Sequence, residues 1–135
     1  MGYSQALLTR VEELSADHDA QVSVRNGEIT IELDRGSIIP LLKTLKSDPD
    51  SSFEQLIDLC GVDYQRYGEE AGRAWQGDRF AIVYHLLSVS RNHRLRVVVG
   101  VPEDDLKVDS VVEIWQSADW YEREAFDLYG ILFQG

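Results

Sequence analysis

The sequence predicts a single domain of the α+β class, in which helices and mostly antiparallel strands are mixed along the chain. Leucine-rich runs at helical spacing, a hairpin signal at Asn26-Gly27 and a central pair of long apolar strands carry that prediction. A length of 135 residues fits one domain, 1–135, with no linker or repeat. A fold of this length buries roughly two thirds of its unfolded surface, so it needs no disulfide or structural metal. With one cysteine, Cys60, it forms no internal bridge.

Each element follows from local pattern. Leu7, Leu8, Val11 and Leu14 place a helix over residues 4–15, with Ser4 as N-cap. Residues 21–24 and 28–33 flank Asn26-Gly27, a pair suited to the positive-φ positions of a tight turn. Ile29, Ile31 and Leu33 alternate with Glu28, Thr30 and Glu32, giving one buried and one wet face. Residues 37–46 read as a second helix with Pro40 in its first turn and Leu41, Leu42 and Leu45 inward. A short helix is expected over 53–59, stopping at Cys60-Gly61. Residues 65–78, with Gly68, Gly72 and Gly77, read as a surface loop, because their spacing fits neither a dinucleotide fingerprint nor a phosphate loop. Strands are expected over 79–88 and 95–101, joined across Ser90–His93. The first carries Phe80, Ile82, Tyr84 and Leu86 on one face and Ala81, Val83, His85 and Leu87 on the other, so both faces are to be covered, by a partner or by the protein's own loops.

The formal charge of −11 excludes most routes to nucleic acid, which need clustered Lys and Arg, and argues against docking on anionic lipid. No apolar run is long enough to span a membrane, and no presequence pattern opens the chain, so direct membrane insertion is not expected. The acid is unevenly spread. Between Glu103 and Asp127 stand nine acids against two bases, Lys107 and Arg123, together with Trp115 and Trp120. A merely solvating acidic stretch is poor in aromatics.

Metal and nucleophile patterns are weak. His18, His85 and His93 are far apart, and no Cys-x-x-Cys exists, which argues against zinc or iron–sulfur ligation by this chain alone. Cys60 is expected as a small buried residue, His85 as a hydrogen-bonded core histidine and His93 as a solvated turn residue. What remains is 119–130, a helix with Ser117 as N-cap and Gly130 as a left-handed terminator. Trp120, Tyr121, Glu124, Asp127 and Leu128 share one side, and Glu122, Ala125, Phe126 and Tyr129 much of the other, with Asp119 and Arg123 between. Such a helix departs from the single apolar stripe of a surface helix. Three readings fit it: a packed helix whose acids reach water or cap loops, half of a carboxylate metal site at Glu124 and Asp127, or an interface helix whose acids await Arg or Lys from another chain.

The same residues carry a resemblance. Trp120-Tyr121-Glu122-Arg123-Glu124, then Asp127-Leu128-Tyr129-Gly130-Ile131, then Phe133 and Gly135, resemble the signature of the thirty-kilodalton subunit of NADH–quinone oxidoreductase, respiratory complex I. Phe53 with Leu56, Gly61-Val62-Asp63-Tyr64, Arg79-Phe80, Val83-Tyr84-His85-Leu86, Leu95-Arg96-Val97, Ser110 and Ile114-Trp115 extend it, so it covers residues 53–135 well. In that family the pattern runs on into a His-Pro-Asp-Leu-Arg-Arg-like segment. This chain stops at Gly135, which implies a C-terminally truncated form lacking the extension over the neighbouring subunit.

The resemblance implies a two-layer α+β domain with a mixed, mostly antiparallel sheet packed against helices. It implies a non-catalytic structural subunit of the hydrophilic peripheral arm, without flavin or iron–sulfur cluster of its own, both of which are expected in partner subunits. The partners would be other arm subunits, especially the quinone-site subunit, holding the chain peripherally at the cytoplasmic face of a bacterial inner membrane. Trp120, Tyr121, Glu122, Arg123, Glu124, Asp127 and Gly130 would be helix and interface residues, with no catalytic residue expected. The alternatives are the equivalent subunit of a related membrane-bound hydrogenase complex and a free-standing carboxylate metalloenzyme.

Overall fold

A computed structural model describes residues 4–18, 20–63 and 79–135. The loop expected over 65–78 lies outside the described residues. Helix α1, Gln5–Ser15, begins where the Ser4 hydroxyl accepts from the Leu7 N–H at 3.3 Å, and it buries Leu7 and Val11 one turn apart. Strands β1, Ala20–Arg25, and β2, Glu28–Leu33, form the expected hairpin, with Asn26 at φ 53° and Gly27 at φ 76°. Ile29, Ile31 and Leu33 are buried as the alternation requires. Thr30, assigned to the wet face, is buried too, and its hydroxyl accepts from Arg96 Nε across the sheet.

A 3-10 turn, Arg35–Ser37, leads into α2, Ile38–Ser47, which buries Ile38, Leu41, Leu42 and Leu45. At the end of α2, Asp48 takes two hydrogen bonds from Arg10 of α1, at 2.6 and 3.2 Å, and one from the Ser51 N–H at 3.0 Å. The pair fixes one helix against the other, and the Arg10 guanidinium holds the Asp48 carboxyl below the usual carboxylate range.

Residues 53–59 do not form a helix. They enter strand β3, Gln55–Asp63, and Cys60-Gly61 lies inside the strand rather than ending a helix. The cause is a β-bulge. Leu56 pairs with Leu86 and Asp58 with His85, leaving Ile57 as the extra residue, and Leu59 then pairs with Tyr84. The bulge puts Leu56 and Leu59, three apart, on the same buried face, which imitates helical spacing in the sequence.

Strands β4, Phe80–Ser88, and β5, His93–Val101, pair antiparallel in continuous register. The five-stranded sheet runs β1-β2-β5-β4-β3, with β2 and β5 parallel and the other neighbours antiparallel. The parallel pair needs a crossover, which α2 and the β3–β4 pair supply between the two strands. Phe80, Ile82, Tyr84 and Leu86 join Leu95, Val97, Val99 and Val101 in one core cluster with the buried residues of the helices. Ala81 and Val83 on the opposite face are also buried but stand outside that cluster. The result is the two-layer α+β arrangement with a mixed sheet. Strand β6, Lys107–Asp109, helix α3, Ala118–Tyr129, and strand β7, Leu132–Gln134, complete the chain, with β6 and β7 parallel.

Three placements differ from expectation. Cys60 faces outward and is exposed, because the bulge sets it opposite Val83 on the outer face. Desolvation, then the Asp58 carboxylate, raises its thiol pKa, which disfavours the nucleophilic thiolate. His85 is half-buried on the same outer face, 4.0 Å from Glu28, and is no core residue. His93 is not a free turn residue. It opens β5, shares a hydrogen bond of 2.8 Å between Nε2 and the Ser51 carbonyl, and packs in a tilted arrangement against Phe53 with ring centroids 5.0 Å apart.

Candidate functional site

The candidate site is α3, and the approach to it is tightly held. Trp115 Nε1 donates to the Phe53 carbonyl at 3.2 Å, and Lys46 Nζ donates to the Ile114 carbonyl at 2.5 Å. These bonds tie the turn before the helix to the start of β3 and the end of α2. Ser117 does not cap the helix with its side chain. It has helical φ and ψ, and its hydroxyl donates to the Leu56 carbonyl at 3.0 Å. One turn later the Tyr121 hydroxyl donates to the carbonyl of Ile57, the bulged residue, at 2.9 Å. Two hydroxyls of this segment thus occupy carbonyls at the bulge of an edge strand, where unpaired backbone groups would otherwise invite another chain.

Further along, the Tyr129 ring packs directly against Gly61 of β3. A Cβ at Gly61 would come within 2.6 Å of the tyrosine ring, so only glycine admits this contact. The Phe80 ring packs on Tyr129 at 6.0 Å between centroids. Gly130 ends the helix at φ 73°, donating to the Phe126 carbonyl at 2.8 Å, as the left-handed terminator should.

The inward stripe of α3 is Ala118, Tyr121, Glu122, Ala125 and Tyr129, spaced as one face of a helix. Glu122 is the unexpected member. It is 7% exposed, and its carboxylate accepts from Ser110 Oγ at 2.7 Å and from the Val111 N–H at 2.9 Å. Desolvation raises its pKa against the pull of those two donors. Tyr84 is fully buried nearby, and burial, then the Glu122 and Asp109 carboxylates, raise its hydroxyl pKa. Its Oη has no hydrogen-bond partner among the described residues.

The outer face differs entirely. Trp120 is 62% exposed, Phe126 51% and Leu128 74%, with Leu132 of β7 also exposed. Asp119, Arg123, Glu124 and Asp127 are exposed around them. Arg123 reaches Asp119 at 3.6 Å, while the side chains of Glu124 and Asp127 have no hydrogen bond or ion pair within the described residues.

Of the residues singled out by sequence, Trp120, Arg123, Glu124 and Asp127 therefore share the solvent side, Tyr121 and Glu122 turn inward, and Gly130 sets the helix end. Phe126 faces out although its position grouped it with Glu122 and Ala125. No cluster of three or more His, Cys, Asp or Glu side chains suited to a metal exists among the described residues, so Glu124 and Asp127 meet no further ligands there. The supporting roles of Gly61 and Ser110 were visible in sequence only as members of a matched pattern. The burial of Glu122 was not marked in the sequence, which placed it with Ala125, Phe126 and Tyr129 on one side without showing which side faces the core.

Residues 31–135 match the family model described as the respiratory-chain NADH dehydrogenase, 30 Kd subunit. The chain is 52% identical over 132 residues to an NADH-quinone oxidoreductase subunit of Thiobacillus denitrificans, covering 97% of this chain and 64% of that protein. It is 50% identical over 137 residues to the counterpart from Burkholderia multivorans, covering 96% and 67% respectively. The chain thus spans about two thirds of the length of these relatives. A solved structure of the trypsin-resistant fragment (1-134) of Nqo5 in a P63 form superposes with a TM-score of 0.82 at 31% identity, covering 96% of each chain. The membrane-bound sulfane sulfur reductase, an archaeal respiratory membrane complex, contains a chain of like fold at a TM-score of 0.76 and 23% identity, covering 97% of this chain and 70% of that one.

Proposed function

The chain belongs to the family of the 30 Kd subunit of respiratory-chain NADH dehydrogenase, and from that premise we propose that it serves as a structural subunit of the peripheral arm of a proton-translocating NADH–quinone oxidoreductase. In this reading the whole complex carries electrons from NADH to quinone, and this chain supplies shape and contacts rather than chemistry. It holds no flavin or iron–sulfur cluster, in keeping with its one cysteine and three scattered histidines. The quinone-site subunit is its main neighbour.

The observation that carries the reading is the two-sided character of α3. Its inner side is committed to β3 and to the Ser110–Val111 turn, while its outer side leaves Trp120, Phe126 and Leu128 in water beside unpaired acids. Large apolar side chains left in water around a helix whose other side is committed to the core offer a partner apolar surface to cover. No helix among the described residues is long and apolar enough to cross a membrane, so attachment at the cytoplasmic face of a bacterial membrane would run through partner subunits. Identities near 50% to NADH-type subunits favour this assignment over the hydrogenase-type complex.

The test is recovery of partners. A tagged form of this chain, expressed in a bacterium lacking its own copy of this subunit, is expected to bring down peripheral-arm subunits, the quinone-site subunit among them. Recovery of the chain alone, or with stoichiometric bound metal, overturns the reading.

A further inference from the structure

We propose that the outer ridge of α3 is a receptor for an arginine side chain of the neighbouring subunit, with the Trp120 indole as its platform and Glu124 and Asp127 as its acceptors. This rests on the reading of the chain as an arm subunit and specifies the chemistry of one contact.

The geometry follows from helix spacing. At about 100° per residue, Trp120, Glu124 and Asp127 fall within roughly 60° of arc, at the centre of the side opposite Ala118, Glu122, Ala125 and Tyr129. The two carboxylates stand one turn and two turns beyond the indole, and all three side chains are exposed. The base on the same face, Arg123, is drawn toward Asp119 at 3.6 Å, in the opposite direction along the helix. Glu124 and Asp127 are left without a counter-charge among the described residues.

An exposed indole face attracts a cation through its quadrupole, and a guanidinium adds planar stacking that an ammonium lacks. Carboxylates beside it accept its N–H groups as charge-assisted bonds. Leu128, at 74% exposure next to this row, would cover the aliphatic stem of the incoming side chain. The complement is therefore a basic, arginine-bearing segment rather than a second copy of this acidic chain, whose formal charge is −11.

The test uses the tagged chain and the peripheral arm prepared from cells lacking their own copy of this subunit, with retention measured as a function of salt. Glu124→Gln combined with Asp127→Asn is expected to weaken retention at low salt by roughly tenfold or more and to flatten its salt dependence. Trp120→Ala is expected to weaken it similarly and Trp120→Phe less, with unchanged melting temperatures throughout. If Trp120→Ala releases the chain while the double carboxylate variant binds as wild type, the contact is apolar and the arginine assignment falls. If all variants bind as wild type, the ridge is not the interface, although the arm-subunit reading stands. Should the wild-type chain itself fail to bind the arm, both fall.

Discussion

A carboxylate that is 7% exposed, on a helix whose other acids stand in water, has to be held by its neighbours, and Glu122 is held by Ser110 and Val111. Truncation should therefore be costly and amide replacement mild. Glu122→Ala leaves the Val111 N–H buried without a partner and is expected to cost about 1–3 kcal/mol. Glu122→Gln can still accept from Val111 and donate to Ser110 Oγ, so it is expected to fall within about 1 kcal/mol of wild type. The pH signature separates them from a surface effect. The folded-state pKa of Glu122 is raised, so the folded form binds more protons than the unfolded one above the ordinary value of 4.5. Its contribution is favourable below that value and is lost as pH rises toward the folded pKa. Chemical denaturation across pH should show this falling limb in the wild type and its absence in Glu122→Gln. An unchanged limb would mean that another group carries it.

At the scale of elements, α3 is seated on β3 through a bulge and a glycine. The bulge at Ile57 turns its carbonyl to Tyr121, and the missing side chain at Gly61 admits Tyr129. Gly61→Ala would push a methyl group to within 2.6 Å of that ring, and the ring is backed by Phe80. We expect a loss of about 1–3 kcal/mol by thermal or urea unfolding, with Tyr129 displaced from the strand. Loss of arm retention should follow, because the exposed ridge moves with its helix. A Gly61→Ala variant as stable as wild type would show that the packing yields more easily than the distance suggests. The bulge also explains the misread element. Leu56 and Leu59 repeat at three, a helical interval, and the sequence holds no mark that one intervening residue is left unpaired.

For the whole molecule, acid resistance depends on how the helical layer is tied together. The Asp48 side chain is 7% exposed and joins α1, α2 and the following turn through Arg10 and Ser51. Its folded pKa lies below the ordinary 3.8, so its contribution is present above that value and is lost as pH falls through the folded pKa. Asp48→Asn is expected to cost about 1–3 kcal/mol near neutral pH and to lessen the acid-side loss of stability. Equal stability of variant and wild type near neutral pH would remove Asp48 from this role. Glu122 and Asp48 thus bend the pH profile in opposite directions, Glu122 withdrawing its contribution as pH rises above 4.5 and Asp48 as pH falls below 3.8.

Much of this architecture was legible in the residues themselves. Asn26-Gly27 determined its turn, alternating isoleucines their strand, and Gly130 the helix end, because each depends on φ, ψ and side-chain period over a few neighbours. The acidic, aromatic stretch from Glu103 to Asp127 was likewise visible as unusual, and its matched pattern pointed to the right family. Only the tertiary structure decided which acids of α3 are buried. Glu122 and Glu124 are identical in chemistry and two residues apart, yet one meets Ser110 and the Val111 N–H while the other meets solvent. The strand at 55–63, the outward Cys60 and the bound His93 were settled in the same way. Each depends on pairing with residues far away in the chain, 42 positions in the case of His93 and Ser51, and a local pattern carries no record of that distance.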